Sequence, residues 1–138
     1  MTIESHSANK RRRRVKLIFN PSAGAARGTK IEILDVIHEL QAWKFEPETY
    51  LVEPGCDLSE VVRSALTQGI RLFVVCGGDG TLLAVAGALV GTRATLGIIP
   101  AGTQNNVALS LDIPEDMPAA VALLRTAENR EMALGRQR

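Results

Sequence analysis

Gly77, Gly78 and Gly80 are interrupted by Asp79 and followed by Thr81, directly after the apolar run from Arg71 to Cys76. Glycine has no Cβ, so a backbone built from it can take positive φ and approach a bulky anion closely enough for its amides to donate directly. With Thr81 opening a helix, the first helical amides have no internal partners, and the helix dipole favours negative charge at that end. Such a loop is a seat for phosphate groups. A hydrogen bond to a charged group contributes about 1.5 to 3 kcal/mol, so several converging amides hold a polyphosphate without many lysines. Asp79 is the misfit, because a carboxylate repels phosphate. It makes sense where Mg2+ lies between the two, or where Asp79 accepts a proton from a hydroxyl attacking the phosphate. A tight turn with an aspartate helix cap is the structural alternative.

Two further segments carry small and polar residues where an apolar run stops. In Asn20-Pro21-Ser22-Ala23-Gly24, Pro21 fixes the chain direction and Gly24 keeps the backbone open to an anion, although an ordinary strand-to-helix turn explains the same residues. In Pro100-Ala101-Gly102-Thr103-Gln104-Asn105-Asn106, the small residues allow close approach. Thr103, Asn105 and Asn106 there supply hydroxyl and amide groups for a ribose, a base or a phosphate, and Asn105 also suits a helix N-cap. Other chemistries lack their residues. His6 and His38 have no partner at metal spacing and read as solvated, and no GxSxG, HExxH, Walker-type or GxGxxG pattern is present. Cys56 and Cys76 match neither CxxC nor a zinc spacing and read as small buried thiols. No metal-ligand set is expected.

These loops need a scaffold, and the pattern between them supplies one. Val15 to Asn20, Phe45 to Val52, Arg71 to Cys76 and Thr95 to Ile99 read as strands. Leu72, Phe73, Val74 and Val75 run without a polar break, as in a parallel sheet buried on both faces. Ile33, Val36, Ile37 and Leu40 recur at helical spacing and predict a helix from about Thr29 to Trp43. A second helix starts near Asp57, whose carboxylate can cap it while Glu60 reaches back. Leu82, Val85, Ala86 and Leu89 mark a third, Asn105 to Leu111 a short one, and Pro118 to Ala127 a longer one; Glu131 to Leu134 reads as one more strand. Strands alternating with helices predict an α/β fold of three layers, a mostly parallel sheet with helices on both faces. In such folds ligands sit at the carboxyl ends of the strands, where all three loops fall.

At 138 residues and 46% apolar content the chain suits one compact domain with a sizeable core. Residues 1–14 read as a flexible basic tail and 15–138 as the α/β domain. No run of eighteen apolar residues and no signal-peptide pattern occurs, so a cytoplasmic location is expected. Net charge is +1, but Lys10, Arg11, Arg12, Arg13 and Arg14 stand together, and the rest of the chain is net acidic. The run reads as a solvated arm or as a peripheral contact with an anionic membrane, at roughly 1 kcal/mol per basic residue near lipid. Nucleic acid is disfavoured, because no aromatic residues interleave with the arginines.

NPSAG (Asn20 to Gly24), CGGDGTL (Cys76 to Leu82) and GIIPAGTQNNVALSLDIP (Gly97 to Pro114) together resemble the diacylglycerol kinase catalytic-domain family, which includes sphingosine, ceramide and bacterial lipid kinases. The resemblance spans Val15 to about Gly135. GGDGT alone is also similar to NAD kinases, and the segment around Gly102 and Thr103 favours the lipid kinases. The resemblance implies ATP with Mg2+ as phosphoryl donor, a lipid acceptor such as diacylglycerol, and a cleft between this α/β domain and a C-terminal β-sandwich that is absent here. It implies a nucleotide role for Asn20, Gly24, Gly77, Gly78, Asp79, Gly80, Thr81 and Thr103, with Asp79 the candidate catalytic acid. Asn106 stands where many members have aspartate. A chain without the second domain is expected to bind nucleotide weakly, to lack substantial activity and to self-associate through the uncovered surface. An NAD kinase-like enzyme and a non-catalytic nucleotide sensor are the alternatives.

Overall fold

A computed structural model describes residues 12–21, 32–100 and 117–134, with side chains of the final helix described through Thr126. Strands β1 (Arg13–Phe19), β2 (Phe45–Leu51), β3 (Leu72–Gly77) and β4 (Thr95–Pro100) form one sheet in the order β2-β1-β3-β4, and every neighbouring pair is parallel. Helices α1 (Ile33–Ala42), α2 (Leu58–Thr67), α3 (Asp79–Leu89) and α4 (Met117–Leu134) cover it. The uninterrupted apolar run of β3 is buried at all six positions, as a central strand covered on both faces must be. In β2, at the sheet edge, buried and exposed positions mix, and Glu46, Pro47 and Glu48 discourage pairing with a further strand.

The strand order dictates which helix lies on which face. The step from β1 to β2 runs outward in one direction, while those from β2 to β3 and β3 to β4 run in the other. Crossovers of one hand therefore place α1 on one face and α2 with α3 on the opposite face. Val36 and Leu40 of α1, with Ala120, Val121 and Leu124 of α4, pack against Val15, Leu17, Phe19, Leu72, Val74 and Cys76. Val62 and Ala65 of α2, with Leu82, Val85 and Leu89 of α3, pack against Ile18, Phe73 and Val75. The alternation along β3 thus feeds two cores, and three layers result.

Several expectations need correcting. β1 begins at Arg13, so Arg13 and Arg14 belong to the sheet rather than to a tail. Arg14 donates to the Gln68 carbonyl at 2.9 Å and pairs with Glu48, and Arg12 donates to the Gln41 carbonyl at 3.2 Å. These guanidinium groups thus add donors to carbonyls at the carboxyl ends of α2 and α1. α1 begins at Ile33 after an extended Glu32, not near Thr29. Asp57 caps α2 through the Glu60 amide, but the Glu60 carboxylate pairs with Arg63 and does not reach back. Glu131 to Leu134 is the end of α4, not a strand. No glycine or proline interrupts the chain from Ala119 to Leu134, and Glu, Met, Ala and Leu are strong helix formers, so nothing stops the helix there. The helix expected over Asn105 to Leu111 lies outside the described residues.

Candidate phosphate-binding site

The order β2-β1-β3-β4 has its topological switch point between β1 and β3, because the chain leaves β1 toward one edge and β3 toward the other. Connections diverging from adjacent strands leave a crevice at their carboxyl ends, the usual ligand position in open α/β sheets. Asn20 follows β1 and Gly77 to Thr81 follow β3, so two of the three candidate loops border that crevice. The Asn20 amide donates to the Cys76 carbonyl at 2.9 Å, and Asn20 Nδ2 donates to Thr81 Oγ1 at 3.4 Å. The register pairs Gly77 with Pro100, which brings the start of the third loop alongside. Gly24, Thr103, Asn105 and Asn106 lie outside the described residues.

Helix α3 begins two residues earlier than expected. Gly78 is its N-cap, Asp79 its first residue, and Gly80 and Thr81 complete the first turn. The Leu82 amide makes the first helical bond, to the Gly78 carbonyl at 3.1 Å. An N-cap glycine brings no side chain, so Gly78 itself does not cap that turn. α1 is likewise without a side-chain cap, whereas α2 is closed by Asp57. Among the described residues, the helices that follow the two switch-point strands have no side-chain bond from their N-cap residue, and the helix that follows the edge strand has one.

The loop glycines act differently from the sequence expectation. Gly78 has φ −92°, and the described glycines with positive φ are Gly55, Gly69 and Gly91. No left-handed turn therefore shapes Gly77 to Thr81. Gly77 is needed for packing, because a Cβ there would lie 3.2 Å from Asn20 Cβ and 3.6 Å from Thr81 Cβ. A Cβ at Gly80 would meet nothing within 4 Å, so this position faces open space. Asp79 is half-buried, with Oδ1 shut off from solvent, and sits where a negative charge is favoured by the helix dipole.

Around this edge stand three exposed leucines that the loop motifs did not indicate. Leu51 ends β2, Leu34 lies in the first turn of α1, and Leu83 follows the opening turn of α3; they are 48%, 61% and 59% exposed. Leu83 could have been noticed, because it falls off the stripe of Leu82, Val85 and Leu89 that packs on the sheet. Cys76, directly below the loop, is fully buried, and burial pushes its thiol up to about 12. Cys56 is only half-buried, against the expectation of two buried thiols. Its proximity is the main cause raising the pKa of the Tyr50 hydroxyl. His38 is exposed, as expected. No group of three potential metal ligands occurs among the described residues, and no described helix is long and apolar enough to cross a membrane.

Comparison with known proteins places the chain in a family. The model of the diacylglycerol kinase catalytic domain matches residues 14–137. A diacylglycerol kinase of Staphylococcus saprophyticus is 30% identical over 127 residues, covering 91% of this chain and 41% of that protein. One from Staphylococcus aureus is 28% identical, covering 91% and 40%. A crystal structure of a diacylglycerol kinase from Bacillus anthracis is similar with a TM-score of 0.67 at 26% identity, covering 83% of this chain and 43% of that one. A putative diacylglycerol kinase from the same organism gives 0.68 at 25% identity, covering 85% and 42%. The chain belongs to the diacylglycerol kinase catalytic domain family. It spans about two-fifths of the length of the curated relatives it matches.

Proposed function

We propose that this chain is the nucleotide-binding part of a lipid kinase, which transfers the γ-phosphate of ATP to the hydroxyl of a diacylglycerol-like lipid. The observation that carries the reading is the start of α3 on a glycine N-cap, with Thr81 held against the β1 loop at the switch point of the sheet. Phosphoryl transfer asks a protein mainly for positioning and for neutralising charge. The first-turn amides of α3 and the Thr81 hydroxyl hold the phosphate chain. Gly80 leaves room for it to approach, and family resemblance adds Gly24 and Thr103 from the neighbouring loops. Asp79 is the acid nearest the transferred group, either accepting the lipid hydroxyl's proton or binding magnesium. One carboxylate with phosphate oxygens is a donor set that suits Mg2+, which usually keeps several waters. When bound, Mg2+ would neutralise charge on the phosphates.

The exposed Leu34, Leu51 and Leu83, toward the carboxyl ends of the strands, suit an acceptor with apolar chains and also self-association. The basic run Lys10 to Arg14 is a candidate contact for an anionic membrane; its described part, Arg13 and Arg14, lies at the amino-terminal end of β1, opposite the loop. We infer that the chain alone lacks substantial turnover, since it covers two-fifths of its relatives.

Calorimetric titration with MgATP tests the binding step. Wild-type protein is expected to bind and Gly78→Asp to lose binding, through added negative charge at the amides; identical titrations would remove the loop as a phosphate site. In the complete protein, Asp79→Asn is expected to cut turnover at least ~100-fold with the fold retained. Near-normal turnover would remove Asp79 from the chemistry. Labelled phosphate appearing on NAD in preference to diacylglycerol would make the enzyme an NAD kinase instead.

A further inference from the structure

We propose that Asn20 is a positioning residue and not a phosphate ligand: its carboxamide fixes the Thr81 hydroxyl so that the hydroxyl proton points to the phosphate groups. This deepens the phosphate reading of the loop and rests on it. The polarity of the contact is the first ground. Asn20 Nδ2 has only protons to give, so Thr81 Oγ1 accepts, and the single hydroxyl proton remains for another partner.

The second ground is what other helical threonines do. Thr67 donates to the Arg63 carbonyl at 3.0 Å and Thr126 to the Ala122 carbonyl at 3.1 Å, each four residues back in its own helix. The residue four back from Thr81 is Gly77, which ends β3. Its carbonyl lies outside a helical ladder that starts with Leu82 and Gly78. Thr81 therefore lacks the acceptor that occupies its counterparts, and among the described residues no group takes its proton. Asn20 supplies the fixed reference instead. Its backbone is tied to the Cys76 carbonyl at 2.9 Å, and the missing Cβ of Gly77 is what lets Asn20 and Thr81 close over that residue.

The experiment is a double-mutant cycle on MgATP affinity in the complete protein, read by calorimetry, using Thr81→Val, Asn20→Leu and the pair combined. Loss of one hydrogen bond to a charged group predicts about ten-fold weaker binding for Thr81→Val. Asn20→Leu is expected to lose affinity by a similar factor, and the double variant to be no weaker than Thr81→Val, because Asn20 has nothing to orient once the hydroxyl is gone. Thr81→Ser, which keeps the hydroxyl, is expected within about two-fold of wild type, since the hydrogen bond itself survives. Losses that multiply to about 100-fold would mean that Asn20 touches phosphate itself, and would overturn the proposal. So would an Asn20→Leu protein that melts earlier but binds MgATP as wild type does, the mark of a purely structural residue. Asn20→Ala takes the place of Asn20→Leu where the latter fails to fold. Wild-type protein that binds no MgATP would overturn the phosphate reading and this proposal together, an outcome distinct from either of the others.

Discussion

Gly97 of β4 and Leu124 of α4 meet so closely that a Cβ on Gly97 would lie 2.6 Å from Leu124 Cδ1, with Cδ2 and Cγ at 3.3 and 3.4 Å. Both residues are buried, and β4 ends at Pro100, beside Gly77. The glycine is there because α4 presses on the strand at that point.

Gly97→Ala is therefore expected to destabilise the fold by about 1 to 3 kcal/mol, the usual range for forcing an extra methyl into a packed core. Urea denaturation should show a lower midpoint with an unchanged slope. Adding Leu124→Ala to the same chain removes the clash, so the pair should lose less than the two single changes summed. Full additivity would show that the two side chains do not share this space.

Two helix ends should respond in opposite directions to a change at one residue. After α1, Lys44 sits at φ 70°, and its amide donates to the Gln41 carbonyl at 3.0 Å. After α2, Gly69 at φ 90° donates to Leu66 and Ile70 to Ala65, the paired bonds that end a helix in a left-handed residue. Lys44→Gly should stabilise by about 0.5 to 1 kcal/mol, because the left-handed conformation no longer strains a Cβ. Gly69→Ala should destabilise by about 1 kcal/mol. A Cβ at Gly69 would touch nothing within 4 Å, so that loss would report backbone conformation alone. Equal midpoints for the two variants would contradict the assignment.

Cys76 predicts an alkaline limit to stability. Its thiol is raised from 9.0 to about 12 by burial, so the folded state keeps a proton that the unfolded chain gives up. This contribution is fully present below pH 9 and is lost as pH rises toward 12, amounting to about 4 kcal/mol at most. Cys76→Ala should show a shallower decline across that window in stability measured against pH. In the native protein, thiol reagents should label the half-buried Cys56 and spare Cys76 until unfolding. Equal labelling of both would contradict the burial on which the pH argument depends.

Where the sequence reading succeeded, the signal was local. The polar-free run of Leu72 to Val75 identified a central strand, and the spacing of Ile33, Val36, Ile37 and Leu40 identified α1, because burial on one or two faces writes its period directly into neighbouring residues. Asp57 was legible as a cap for the same reason. Failures came where a neighbour distant in sequence decided the outcome. Glycines after β3 suggested a left-handed loop, yet Gly77 is required by its contact with Asn20. The start of α3 at Asp79 depends on how Gly78 leaves the sheet.

The amino-acid order by itself determined that strands and helices alternate, that three polar loops end three strands, and that one of them is rich enough in glycine to admit an anion. Only the tertiary structure decided that Asn20 stands against Thr81, 61 residues away, and that Arg13 and Arg14 open β1 at the end of the sheet opposite the loop. The physical reason is range. Periodicity and capping act across a few residues, whereas the pairing of β1 with β3 is chosen by the burial of two whole faces of the sheet, which no local stretch of sequence contains.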